Sequence, residues 1–78
     1  MISEFKVGEA MILVQPTNGM RWFAAIVSKN VFIDYDLIES IHKLLTSLEI
    51  LSESSVSSSW VRKTIDAIDD LVHDLITG

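Results

Sequence analysis

The residues best equipped for chemistry form a duplicated pattern, an acid followed three positions later by histidine: Glu39-Ser40-Ile41-His42 and Asp70-Leu71-Val72-His73. On a helix that spacing puts acid and imidazole on one face, and paired helices carrying Glu-x-x-His hold two metal ions in four-helix carboxylate proteins. Such a centre needs its ligands to point inward and further carboxylates to join them. Counted from the neighbouring apolar positions, Glu39, His42, Asp70 and His73 all fall on the outward side, so neither a metal nor any other cofactor is expected. Nucleophilic and phosphate chemistry lack their supports too. No serine sits in a Gly-x-Ser-x-Gly elbow, and Gly8, Gly19 and Gly78 are too far apart to make a phosphate-cradling loop. The expectation is a chain without catalytic activity.

A second set of residues carries charge. Asp66, Asp69, Asp70 and Asp74 cluster on the outward side of the last apolar-periodic segment, whose first turn holds Arg62 and Lys63. A helix is positive at its N-terminal end and negative at its C-terminal end, so basic residues at the start and acids toward the end are each placed against the dipole. Departures from local rules of this kind are where functional sites are often found. The large aromatics Trp22 and Trp60 join the four aspartates as candidate partner-binding residues, because tryptophan is enriched at the energetic centres of interfaces.

The elements that position these residues are read from periodicity. In residues 37–51, Leu37, Ile41, Leu44, Leu48 and Leu51 step by four, three, four and three, with Ile38 and Leu45 beside them. This predicts a helix over 34–51, capped by Asp36 with Glu39 three positions on. Val61, Ile65, Ile68, Val72 and Leu75 repeat the stripe and predict a second helix over 60–77. Between them residues 52–59 are rich in serine, which competes for backbone hydrogen bonds, and read as a loop with Ser58 or Ser59 as the next cap. Residues 11–15 and 20–27 are apolar runs around Asn18-Gly19, the short-range signature of a β-hairpin with a type I′ turn. Pairing outward from that turn sets Val14 against Phe23 and Ile12 against Ala25, which makes Phe23 a core residue and sends Trp22 to the other face. Residues 31–33 are available as a short third strand. The fold expected is α+β: an N-terminal β-hairpin region over 1–33, then two packed antiparallel helices, in one small domain spanning 1–78.

Composition limits the partners. The chain has 78 residues, six Lys and Arg against eleven Asp and Glu, 49% hydrophobic residues and no cysteine. Without cysteine there is neither a disulfide scaffold nor a thiolate zinc site. The longest apolar run, residues 22–27, is far short of the roughly 20 residues a membrane-spanning helix needs. The first residues lack the basic-then-apolar order of a secretory signal, so the cytoplasm is the expected location and no membrane is expected as partner. Net charge is −5. The surplus acid sits in 34–51 and 52–78, each −3, while Lys6, Arg21 and Lys29 against Glu4 and Glu9 leave 1–33 at +1. Nucleic-acid binders concentrate Lys and Arg on one face, so direct nucleic-acid binding is not expected. The hairpin is apolar on both faces, and half the residues of so short a chain are apolar; both features predict a homodimer, through the sheet or through the helical stripes.

Three functions fit these constraints. The first is a small acidic interaction module, a regulator or inhibitor that occupies a basic surface on a larger protein; an enzyme that handles nucleic acid presents such a surface. In size and charge alone the chain resembles phage-encoded inhibitors. The second is a structural subunit whose apolar faces assemble copies of itself. The third is a small metal-binding or catalytic protein using His42 or His73.

Overall fold

Ser3, Phe5 and Val7 alternate with Glu4 and Lys6, and this period of two builds strand β1, Ser3–Val7. A computed structural model, which describes residues 2–54 and 59–78, continues with β2 (Ala10–Pro16), β3 (Trp22–Ile26), helix α1 (Tyr35–Ser54) and helix α2 (Ser59–Thr77). The strands form one antiparallel sheet in the order β1-β2-β3. The α+β architecture is as read from the sequence, with one strand in a different place. The third strand precedes the expected hairpin instead of following it. Residues 31–33 are irregular, and Phe32 is 79% exposed. Asn30, at a φ of 60°, turns the chain away from the sheet before those residues can pair.

The turn between β1 and β2 has two residues, Gly8 and Glu9, because Val7 pairs with Ala10. The positive φ of 61° falls on the first of them, as a type II′ turn requires, and glycine accepts it without a Cβ clash. The turn between β2 and β3 has three residues. Thr17 N–H donates to the Arg21 carbonyl at 2.6 Å, Met20 N–H donates to the Thr17 carbonyl at 3.0 Å, and the positive φ of 62° sits on Met20. This is a type I turn followed by a left-handed residue, and neither Asn18 nor Gly19 takes the positive φ of a I′ turn.

The extra turn residue shifts the register by one. Ile12 pairs with Ile26, Val14 with Ala24, Gln15 with Phe23 and Pro16 with Trp22. A one-residue slip exchanges the faces of a strand. Trp22, Ala24 and Ile26 therefore join Ile12 and Val14 on the covered face, and Phe23 turns outward, 56% exposed. The expectation that Phe23 is core and Trp22 is not is thus reversed. In this register Ile26 lies beside Ile12, Ala24 beside Val14 and Trp22 beside Pro16, and the turn hydrogen bonds fix it.

Both helices lie on that one face. The core is built from Val7, Ile12, Val14 and Ala24 of the sheet, Ile41, Leu45 and Leu48 of α1, and Ile65, Ala67, Ile68 and Val72 of α2. The α2 stripe is the predicted one. In α1 the buried line is Ile41, Leu45, Leu48 and Ser52, and Leu51 stands 56% exposed instead of extending the line. The cap of α1 is Asp34, not Asp36: its Oδ1 accepts the Leu37 N–H at 2.9 Å, while its carbonyl accepts the Ile38 N–H at 3.2 Å. Asp36 lies inside the first turn, where a carboxylate still favours the helix dipole. Asp34→Ala removes the cap and is expected to lower stability by about 1 kcal/mol, measured by urea unfolding.

The helix also runs through Ser52 to Ser54, residues expected in the loop, and Ser52 Oγ donates to the Glu49 carbonyl at 2.9 Å. Satisfying its hydroxyl within the helix lets serine stay there. The cap expected at Ser58 and most of the serine run lie outside the described residues. In α2, Thr64 is fully buried and its Oγ1 has no hydrogen-bond partner among the described residues. An unpaired buried hydroxyl costs about 1–3 kcal/mol. Thr64→Val keeps the shape and removes the orphan, so a rise in melting temperature is expected in a thermal scan.

Candidate interaction surface

Asp66, Asp70 and Asp74 recur every four residues and so line one side of α2; Asp69, three residues from Asp66, flanks the row. All four are exposed. A residue rises about 1.5 Å along a helix, which spaces the carboxylates of the row about 6 Å apart. Like charges at that separation repel, and the basic residues of α2, Arg62 and Lys63, adjoin only the Asp66 end of the row. The last turn of α2 holds no basic residue and its first turn no acid. Because α2 ends at Thr77, only Asp74 sits in the terminal turn, where the dipole opposes a carboxylate; Asp69 and Asp70 are mid-helix. Among the described residues the ion pair formed is Lys43–Glu39 on α1, at 3.8 Å, and none of the four aspartates has a basic partner.

The row forms one wall of a cleft. From the sheet side come Thr17, Arg21, Trp22, Phe23 and Ala24; from α2 come Ala67, Asp70, Leu71 and Asp74, around a space of about 350 Å³. A neighbouring space of about 250 Å³ shares Arg21, Trp22, Ala67 and Asp70 and adds Met20, Lys63 and Asp66. The two make one continuous depression between α2 and the β2–β3 turn. Small residues create it. Ala24 and Ala67 are both buried, and neither fills the gap between strand and helix. The half-buried Trp22 lies in both spaces and presents an aromatic surface between the acidic row and the turn.

The structure therefore brings Trp22 together with Asp66, Asp70 and Asp74. Asp69 stands beside them on the outer side of α2. Trp60 is not among the cleft residues. It lies half-buried at the start of α2, and its Nε1 is buried without a hydrogen-bond partner among the described residues. Sequence reading missed Arg21 and Lys63 as cleft residues. With the hairpin register off by one, Trp22 points to the face of the sheet away from α2, and the cleft loses its aromatic wall.

The two acid-x-x-His pairs are not brought together. Asp70 faces the cleft, and His73 is exposed beside it. His42 and Glu39 border a separate notch of about 390 Å³ with Tyr35, Ile38 and Ile76. No three His, Cys, Asp or Glu side chains among the described residues are grouped so as to hold a metal ion. No helix among them is long and apolar enough to cross a membrane. No family model matches the chain, and neither a curated protein nor a solved structure shows significant similarity to it.

Proposed function

We propose that this protein is a small acidic interaction module that regulates or inhibits a larger protein by occupying a basic surface on it. The observation that carries this reading is the exposed row of Asp66, Asp70 and Asp74, which forms no ion pair among the described residues, alongside an aromatic cleft centred on Trp22. Acidic rows steer association with positive surfaces, and the aromatic supplies a place where a basic side chain can stack after desolvation. A guanidinium from the partner fits both demands, since its plane stacks on an indole while its N–H groups reach a carboxylate. Basic surfaces of this kind line the active clefts of nucleic-acid-handling enzymes, which makes such an enzyme the favoured target. The role requires neither a cofactor nor turnover by this chain. The test is affinity capture with the intact protein and with a variant carrying Asn at 66, 69, 70 and 74. A partner retained by the first and lost by the second supports the reading; a partner held equally by both contradicts it.

A further inference from the structure

We infer that the uncovered face of the sheet is an interface between two copies of this chain, with β1 packed against β1 of the second copy in antiparallel orientation. Both helices lie on the opposite face and bury their stripes in the core, which leaves this sheet face without a cover, with Phe23 and Val27 56% and 50% exposed. It carries Met11, Leu13, Phe23, Ala25 and Val27, with Glu4 and Lys6 along β1 and Gln15 on β2. An antiparallel sheet with one wet face ordinarily alternates apolar with polar residues, and here only β1 does so.

Charge identifies the occupant. The whole molecule is at −5, so two copies repel through most of their surfaces. This face holds one acid and one base and is neutral. Its two charges also choose the register. Glu4 pairs with Leu13 and Lys6 with Met11, which makes two rows across the sheet. A twofold axis between those rows sets Glu4 over Lys6 of the second copy and Leu13 over Met11, each contact made twice, as an isologous interface requires. An axis through either row instead opposes like charges. Three strands about 4.8 Å apart and about five residues long give a footprint of roughly 14 by 17 Å. That is about 240 Å² on each copy and about 480 Å² over both, well below the roughly 1,200 Å² at which stable interfaces begin, so a weak dimer in concentration-dependent exchange with monomer is expected. The acidic row on α2 stays exposed in each copy, and the interface stands whether or not that row binds a partner.

Sedimentation velocity of the intact protein over a range of concentrations tests this. Wild type is expected to shift from monomer to dimer as concentration rises. Leu13→Lys, which places a charge at the centre of a face already open to solvent, is expected to be monomeric throughout with an unchanged far-ultraviolet circular dichroism spectrum. Glu4→Lys is expected to weaken the dimer at least tenfold, and adding Lys6→Glu to it is expected to restore association. A wild-type chain that stays monomeric, a dimer that survives Leu13→Lys, or a charge swap that fails to rescue would each overturn the inference.

Discussion

Replacing Ile12 with alanine is expected to cost about 3 kcal/mol, whereas the same truncation at Leu13, one residue along β2, is expected to cost about 1 kcal/mol or less in the monomer. Ile12 is fully buried on the face of the sheet that the helices cover, and Leu13 is on the uncovered face. Removing a core isoleucine loses its transfer energy and leaves a cavity that close-packed neighbours refill only in part. A chain of this length has about 4–12 kcal/mol of stability in total, so the Ile12 change removes from about a quarter to about three quarters of it. The same contrast runs along β3 in the opposite sense to a type I′ register. Trp22→Ala is expected to be the costly change, at about 3 kcal/mol, and Phe23→Ala the mild one. Chemical denaturation of the four variants reads the register directly. If Phe23→Ala were the more damaging of its pair, the three-residue turn would be wrong.

Neutralising the acidic row is the second change with a large expected effect, and its sign differs between stability and binding. Asn at positions 66, 69, 70 and 74 removes four like charges spaced at three and four residues, each pair of which destabilises the helix by a few tenths of a kcal/mol. It also removes the terminal carboxylate of Asp74, whose placement against the dipole costs about 0.3–1 kcal/mol. The melting temperature is therefore expected to rise. Binding to the partner is expected to weaken by one to three orders of magnitude, mainly through slower association and most strongly at low salt, because exposed charges steer encounter. Trp22→Ala complements this variant. It removes the cleft's aromatic surface, so it is expected to accelerate dissociation while leaving the salt dependence intact, at a cost to stability already counted. A helix that gains stability when it loses its charge and then fails to bind is one whose charge serves the partner.

Much of this arrangement was legible in the residues. The stripes of Leu37, Ile41, Leu44, Leu48 and Leu51 and of Val61, Ile65, Ile68, Val72 and Leu75 gave both helices, but only the second gave its buried side unchanged, since in α1 the buried line runs through Leu45 and Ser52 in place of Leu44 and Leu51. Outward placement of Asp66, Asp69, Asp70 and Asp74 follows from the same count. The sheet was harder to read. Strand β1 has only Phe5 and Val7 as apolar members, too few to stand out beside the longer run of β2. The Asn18-Gly19 signature marks a turn correctly but does not distinguish two turn residues from three, and that single residue decides which of Trp22 and Phe23 meets the helices. The cleft depends on that decision. It also depends on Ala24 and Ala67 facing each other across elements some forty residues apart, a meeting that no local pattern announces. The cap of α1 was displaced by two residues because Asp34 and Asp36 are equally good capping residues, and the helix start is settled by where the chain leaves the sheet.

The central claim is that the acidic row beside Trp22 binds a basic protein surface, and one titration tests it most directly. The partner captured by the intact protein is purified and titrated by calorimetry against wild type and against the four-asparagine variant, at low and at moderate salt. Wild type is predicted to bind with an affinity that falls steeply as salt rises, and the variant to bind weakly with little salt dependence. Equal affinity and equal salt dependence for the two proteins would contradict the account.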